Sequence, residues 1–152
     1  MAKNERVGAL RRSLALPHDA VLHCYQRVLY YEPEAPVPLL PGKLDLGEHL
    51  QCAYGVLQLV EADPEAPMAM PYRGPVQVRA RAGGERLTSP TAGTVSVKQL
   101  MQQACMPPWQ RAYLPLLYVN DVLVCVPGLA VAKVDGAVPG DRYCRAVWRA
   151  NS

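Results

Sequence analysis

Alternation of apolar and polar residues marks a clear strand in the segment VQVRARA, residues 76–82. Its two valines and Ala80 fall on one face, whereas Gln77, Arg79 and Arg81 fall on the other, because side chains alternate along a strand. The strand therefore predicts two arginines on one face. The glycine pair that follows predicts a turn, since the longer phosphate-binding loop pattern with its lysine is missing.

A single amphipathic helix is predicted at about 97–105. Its apolar positions recur at helical spacing and form one stripe: Val97, Leu100, Met101 and Ala104. Ser96 followed three residues later by Gln99 is a capping-box pattern. Pro107 and Pro108 are expected to end the helix and to fix the direction in which the chain leaves it, because proline has no backbone N–H to donate.

Most of the remaining pattern predicts short strands. They are expected at 21–32 (a strand or a hairpin), 53–61, 114–119 and 122–126 joined at Asn120-Asp121, 129–134 before a turn at Asp135-Gly136, and 143–149. Two proline-rich stretches, 33–42 and 61–75, are expected to be connections. The predicted class is α+β: a β-rich, small twisted sheet or sandwich that carries one main helix.

Charge and composition add direction to this outline. The net charge of +3 divides into −2 for residues 1–75 and +5 for residues 76–152. A basic half is typical of proteins with anionic partners, although a solvated Arg-rich surface explains it too. No run approaches the roughly 20 apolar residues of a membrane span, and the N-terminus lacks the apolar stretch of a signal peptide. We therefore expect a soluble, cytoplasmic protein with no membrane partner.

Candidate catalytic chemistry is sparse. His23 beside Cys24, and His49 three residues before Cys52, are of types that bind zinc, but they lack the CxxC doublets of a strong zinc motif. Five cysteines without tight spacing fit reduced thiols. No nucleophile elbow, HExxH or Walker motif is present. The sequence predicts no catalytic residue, no metal site and no cofactor in this chain.

Basic and aromatic residues of the second half form the candidate RNA-binding set. Arginine forks bind phosphates and an exposed tryptophan can stack on an unpaired base, while a core role for the tryptophan stays open. The set comprises Arg79, Arg81, Arg86, Lys98, Trp109 and Arg111.

An ordered series of motifs over residues 76–131 resembles the C-terminal domain of the bacterial tRNA(Ile)-lysidine synthetase family. The series is Gly83-Gly84-Glu85-Arg86, Leu100, Pro107-Pro108-Trp109, Arg111, Pro115-Leu116-Leu117-Tyr118 and Gly128. The chain departs from the family in TSPTAGT, residues 88–94, which has no basic residue, and at Gln99, where a second lysine is common. These departures put phosphate contacts from that loop in doubt.

The resemblance implies a tRNA-holding role. The family joins lysine to the wobble cytidine of an isoleucine tRNA with ATP, and its ATP and Mg²⁺ chemistry belongs to an N-terminal domain with a Ser-Gly-Gly-x-Asp-Ser loop, which this sequence does not contain. The implied partners are tRNA(Ile), near its acceptor stem, and the enzyme's own catalytic domain. On its own the chain is expected to be non-catalytic.

The resemblance also implies a domain division. Residues 1–33 are expected to be the remnant of a preceding central, substrate-binding domain. Residues 34–75 are expected to be a proline-rich connection with one or two strands that belongs to the C-terminal domain, and residues 76–152 to be the core of this tRNA-binding domain. Two alternatives stay open: a protein-interaction or assembly module, including a homodimer, and a cysteine-dependent enzyme, which needs a thiol of low pKa.

Overall fold

The computed structural model describes residues 11–15, 21–32, 39, 41–90, 93–133 and 140–150. The chain divides into two compact units, residues 1–37 and 38–152. The predicted turn at Asp135-Gly136 and most of the proline-rich segment 33–42 lie outside the described residues. Among the described residues, no helix is long and apolar enough to cross a membrane.

The first unit contains a three-stranded antiparallel sheet in the order β1-β2-β3. Its strands are β1 Arg11–Ala15, β2 Val21–Tyr25 and β3 Val28–Glu32. The turn between β2 and β3 consists of Gln26 and Arg27, both with positive φ, as tight two-residue hairpins require. Of the two possibilities predicted for 21–32, a strand or a hairpin, the structure has the hairpin, whereas β1 was not expected.

A five-stranded antiparallel sheet, order β13-β12-β11-β8-β4, forms the centre of the second unit. Its strands are β4 Gly42–Leu44, β8 Val76–Arg79, β11 Leu116–Val119, β12 Val122–Val126 and β13 Ala130–Val131. Asn120 and Asp121 join β11 to β12 with φ of 49° and 63°. The predicted hairpin at this position is therefore confirmed, because both residue types tolerate the left-handed region.

A four-stranded antiparallel sheet, order β5-β6-β14-β7, packs on one side of the central sheet. Its strands are β5 His49–Gln51, β6 Gly55–Ala62, β7 Met70–Pro71 and β14 Tyr143–Ala150. The two sheets bury the intersheet cluster, made of Leu44, Cys52, Leu57, Leu59, Met70, Val76, Val78, Leu117, Cys125, Cys144 and Ala146. Strands predicted near 53–61 and 143–149 are confirmed, while β5 and β7 were not expected.

A short hairpin and a helix cover part of the other side of the central sheet. The hairpin is β9 Arg86–Ser89 with β10 Gly93–Ser96, and the helix is α1 Val97–Gln103. Together they bury the helix-side cluster, made of Leu87, Val97, Met101, Leu114, Leu116, Leu123, Val126 and Ala132. The segment 88–94, expected to be a loop, thus contributes to two strands. The β-rich α+β class with one main helix is confirmed.

Helix α1 begins as its capping pattern predicts. The backbone N–H of Gln99 donates to Oγ of Ser96 at 3.0 Å, which satisfies one of the donors that a helix start leaves unpaired. Val97 and Met101 are buried, but Ala104, placed in the apolar stripe, is exposed at the C-cap. The helix ends there because Cys105 has a φ of 55°, before the prolines are reached.

The prolines open a second helical turn instead of an irregular hinge. Helix α2 spans Pro108–Arg111, with proline at its first position. Proline fits there because the first residues of a helix have no intrahelical acceptor for their N–H groups. The direction of the chain after α1, which the prolines were expected to fix, is therefore set by a one-turn helix that contains both Trp109 and Arg111.

Gly55 is a tight backbone position in the pairing of β6 with β14 and provides a test of it. A Cβ atom there would lie 2.6 Å from the carbonyl oxygen of Arg149 and 2.6 Å from Cζ2 of Trp148. We expect Gly55→Ala to lower the free energy of unfolding by about 2 kcal/mol, because the partner strand has to shift. Urea denaturation measures the loss.

The matched control is Gly42→Ala, where nothing lies within 4 Å of the added Cβ. This variant should stay within about 0.5 kcal/mol of the unsubstituted chain. Equal stability of the two variants would contradict the close packing of β6 on β14.

Candidate nucleic-acid interface

The structure separates the six predicted RNA-binding residues into groups with different surroundings. Arg79 lies at the end of β8, and Arg81 lies beyond the strand. Arg86 begins β9, Lys98 lies in α1, and Trp109 and Arg111 belong to α2.

Arg79 lies on an aromatic ring, on the face of the central sheet that is turned away from the intersheet cluster. Its guanidinium carbon is 4.4 Å from the centre of the Tyr118 ring, a cation–π distance. The same group donates to Oε1 of Gln77 at 2.6 Å and to the carboxylate of Asp121. The Arg79 side chain remains 36% exposed. A guanidinium that is held in one plane and is partly exposed can direct its in-plane N–H groups at an anion.

Arg81 is instead part of a closed local network. Its Nε is 3.4 Å from Oε1 of Glu85, and Nη1 is 3.8 Å from Sδ of Met101. The side chains of Arg81 and Glu85 are only 16% and 10% exposed. The expected pair of arginines on one strand face is therefore not formed, because β8 ends at Arg79.

The glycine turn binds an anion that the chain itself supplies. The N–H groups of Ala82 and Gly83 donate to the carboxylate of Glu85, at 2.5 Å and 3.1 Å. Burial by itself would raise the pKa of Glu85, but these backbone hydrogen bonds together with Arg81 outweigh it and lower that pKa. The turn predicted here is confirmed, and its donors are directed at Glu85.

Arg86 and Lys98 are the exposed cations of the hairpin–helix layer. Arg86 is the cross-strand partner of Ser96, the N-cap of α1, and Lys98 is two residues further on. Both side chains are exposed. Antiparallel pairing of β9 with β10 thus brings together two cations that are twelve residues apart in the sequence.

The α2 residues are more enclosed. Trp109 is half-buried, and Nε of Arg111 donates to the backbone carbonyl oxygen of Met106 at 2.8 Å. This bond ties α2 back to the end of α1, so Arg111 stabilises the local chain direction. Lys43 and Tyr118 lie beside Gln77 on the same face of the central sheet and were not predicted as site residues. Only the pairing of β4, β8 and β11 brings these three positions together.

Two features of the described residues bear on the metal and thiol chemistry considered above. No group of three or more His, Cys, Asp or Glu side chains that could hold a metal ion occurs in this part of the chain. Burial raises the pKa of the Cys52 thiol. It also raises the pKa of Cys144 to about 11 and the pKa of Cys125 to about 12. A buried thiol with a raised pKa is a poor nucleophile, because the thiolate is the reactive form.

Comparison with known proteins identifies the second half of the chain. Residues 76–148 match the family model described as TilS substrate C-terminal domain. Residues 76–148 form a TilS C-terminal region. The central sheet from β8 onward, the hairpin β9–β10, both helices and most of β14 belong to it.

Two relatives and one solved structure show how far the similarity to the TilS C-terminal region extends. A tRNA(Ile)-lysidine synthase of Serratia proteamaculans is 29% identical over 127 residues, which are 82% of this chain and 29% of the relative. One of Xanthomonas campestris pv. campestris is 42% identical over 66 residues, 42% of this chain and 15% of the relative. The chain thus corresponds to well under half of either relative.

The solved structure is a crystal structure of a TILS C-terminal domain. It matches with a TM-score of 0.57 and 20% sequence identity, and it covers 74% of this chain and 100% of its own. At this level of identity the match demonstrates a shared fold.

Replacement of Glu85 tests whether its carboxylate stabilises the glycine turn. Because the folded state lowers the pKa of Glu85, its stabilisation is present above about pH 4.3 and is lost as the pH falls through the lower folded pKa. Glu85→Gln should lower the free energy of unfolding by about 2 kcal/mol at pH 7, and the difference should shrink towards pH 3. Denaturant titrations at several pH values measure this.

Glu61→Gln is the control for this experiment. Glu61 is 64% exposed and lies 3.6 Å from Arg142, so its loss should change stability by less than about 0.5 kcal/mol at any pH. A Glu85 effect that stays constant between pH 7 and pH 3 would contradict an ionised carboxylate in the turn.

Cysteine labelling tests the burial of the thiols. In the folded chain at pH 7, iodoacetamide should modify the exposed Cys105 and leave Cys52, Cys125 and Cys144 intact, because these three are buried and protonated. Raising the pH to 9 should still leave Cys125 unmodified, because its pKa of about 12 keeps the thiol protonated. Peptide mass spectrometry gives the pattern, and labelling in guanidinium chloride gives the fully reactive reference. Rapid modification of Cys125 in the folded chain would contradict the intersheet core.

Proposed function

We propose that this chain holds an isoleucine tRNA for a tRNA(Ile)-lysidine synthase. The match of residues 76–148 to the TilS C-terminal domain carries this proposal, and the names of the relatives supply the substrate class. In this role the chain contacts the tRNA body near the acceptor stem, in the cytoplasm. The parent enzyme joins lysine to the wobble cytidine at the expense of ATP.

The distribution of cations supports tRNA binding. Residues 76–152 have a net charge of +5, and Arg86 and Lys98 are exposed near one another. Phosphate neutralisation by such cations provides most of the affinity of non-specific nucleic-acid binding. We propose Arg79, Arg86 and Lys98 as the phosphate contacts and Trp109 of α2 as a residue that stacks on an unpaired base.

Arg81 and Arg111 have a different place in this proposal. Their guanidinium groups are committed to Glu85 and to the carbonyl oxygen of Met106, so they shape the surface that carries the other cations. Their replacement would then act on tRNA binding through the stability of the glycine turn and of α2.

The chemistry of lysidine formation is proposed to take place in another domain of the enzyme. The sequence contains no Ser-Gly-Gly-x-Asp-Ser loop, and the described residues contain no cluster suited to Mg²⁺. The catalytic domain that binds ATP and Mg²⁺ would therefore be a partner of this chain. Holding the tRNA body would raise the effective concentration of the anticodon at that domain.

An assembly module is the second candidate, favoured by one observation in the first unit. Strand β3 is at the edge of its sheet, and Leu29 and Tyr31 are 65% and 63% exposed. Exposed apolar side chains on an edge strand are a template for association. Light scattering distinguishes the candidates: a defined oligomer without affinity for tRNA supports assembly.

Binding of tRNA(Ile) with a CAU anticodon tests the main proposal. We expect the affinity to fall by at least about tenfold between 50 mM and 200 mM salt, because phosphate contacts release counterions. Arg86→Ala with Lys98→Ala should weaken binding by about tenfold at low salt. Fluorescence anisotropy of labelled tRNA measures both effects.

The matched control is Arg145→Ala with Arg149→Ala, which removes two positive charges from the exposed positions of β14. This variant should bind nearly as well as the unsubstituted chain. No binding at 50 mM salt would contradict the proposed function. Equal weakening by both double variants would contradict the proposed contacts.

A further inference from the structure

Half of one face of the central sheet is left open by the elements that cover the other half. The helix-side cluster takes its side chains from β9, β11, β12, α1 and the segments beside them. Neither β4 nor β8 contributes to it, although both strands belong to the same sheet. Within the described residues, the β4–β8 half of this face is therefore not packed under the hairpin or the helix.

A row of polar side chains crosses this half of the face and ends at Tyr118, which packs against the helix-side cluster. Lys43 of β4 pairs with Gln77 of β8, which pairs with Tyr118 of β11. Residues directly opposite one another in a sheet point to the same face. Their neighbours Leu44, Val76 and Leu117 belong to the intersheet cluster, so the row faces away from that core.

The row forms the floor of a hollow of about 470 Å³. One wall comes from the β11–β12 turn and the other from the segment before β8. The residues that line the hollow are Lys43, Arg73, Pro75, Gln77, Tyr118, Val119, Asn120 and Asp121. Lys43 is exposed. Arg79 contacts three of the lining residues, since it stacks on Tyr118 and donates to Gln77 and Asp121.

The Arg79–Asp121 pair shows what this hollow is suited to bind. The carboxylate of Asp121 already accepts from the guanidinium, at a position that a phosphate oxygen could take. The Asp121 side chain is 83% exposed, and exposed ion pairs contribute little stability. Asp121 can therefore swing into solvent at low cost, while Gln77 and the Tyr118 ring keep the guanidinium in place.

We propose that this hollow is a second RNA subsite, in which Lys43 and Arg79 bind one phosphodiester group of the tRNA backbone after Asp121 has been displaced. The inference rests on the proposed tRNA-holding function and adds a site on the sheet face to the contacts of the hairpin–helix layer. Asp121 acts here as an internal competitor of the phosphate. Its removal is expected to strengthen binding, which is the opposite of the effect of removing a contact.

The first arm of the experiment removes the lysine of the hollow. Lys43→Ala in the full chain should lower the affinity for tRNA(Ile) about threefold to fivefold at 50 mM salt. It should also reduce the slope of log affinity against log salt by about one, as the loss of one phosphate contact requires. Arg145→Ala, which removes the same charge from β14, is the control and should change neither quantity appreciably.

The second arm removes the competitor. Asp121→Asn keeps a residue that tolerates the positive φ of 63° at this turn, and it should raise the affinity about threefold. Asp63→Asn, an exposed carboxylate just after β6, makes the same change in net charge and should have little effect. Unfolding curves confirm that the four variants remain folded.

The outcomes separate this subsite from the general function. If the unsubstituted chain binds tRNA but Lys43→Ala matches Arg145→Ala, or Asp121→Asn matches Asp63→Asn, the subsite is wrong and the tRNA-holding function stands. If the unsubstituted chain does not bind tRNA at any salt concentration, both are wrong. A weaker Lys43 variant together with a tighter Asp121 variant supports the subsite.

Discussion

Strand β11 is buried on both faces, and the architecture of the second unit follows from this constraint. Leu116 belongs to the helix-side cluster, whereas the next residue, Leu117, belongs to the intersheet cluster. Both are fully buried. A strand with apolar residues on both faces has to be covered on both sides, so the four-stranded sheet and the hairpin–helix layer are both needed to keep it out of water.

The extent of each cover decides which surface is left for binding. The four-stranded sheet covers the full row of apolar positions from β4 to β12, but the shorter hairpin–helix layer reaches only the part of the opposite face near β11 and β12. Polar residues on β4 and β8 remain open as a result. The proposed subsite on the sheet face is thus the polar remainder of a sheet whose buried apolar residues are divided between the two clusters.

The basic residues divide according to their partners, and the division has a physical basis. Arg81 is mostly buried and Arg111 is partly buried. A guanidinium taken out of water needs hydrogen-bond acceptors, which Glu85 and the carbonyl oxygen of Met106 provide. Arg86 and Lys98 stay in solvent and need no such partner. Arg79 is intermediate: it is half-exposed, lies on Tyr118 and is held by a carboxylate that is itself almost fully solvated.

Local patterns in the sequence determined the elements whose signals are short in range. The Ser96 cap, the Asn120-Asp121 turn and the alternation in β8 depend on neighbouring residues, and the structure confirms each. The family resemblance rested on motifs in a fixed order and led to the TilS C-terminal region. The six site residues were chosen by residue type, which indicates the chemistry of a side chain but not its surroundings.

Tertiary structure alone decided which of those residues face solvent. Pairing of β8 with β4 and β11 brought Lys43 and Tyr118, which are 75 positions apart, next to Gln77, and no local pattern contains that register. The bond of Glu85 to the N–H groups of Ala82 and Gly83, by contrast, spans only two or three residues, and tertiary structure adds the burial of this network, in which Arg81 also contacts Met101. Long-range pairing and burial depend on the whole chain, because every apolar face has to find a partner at the same time.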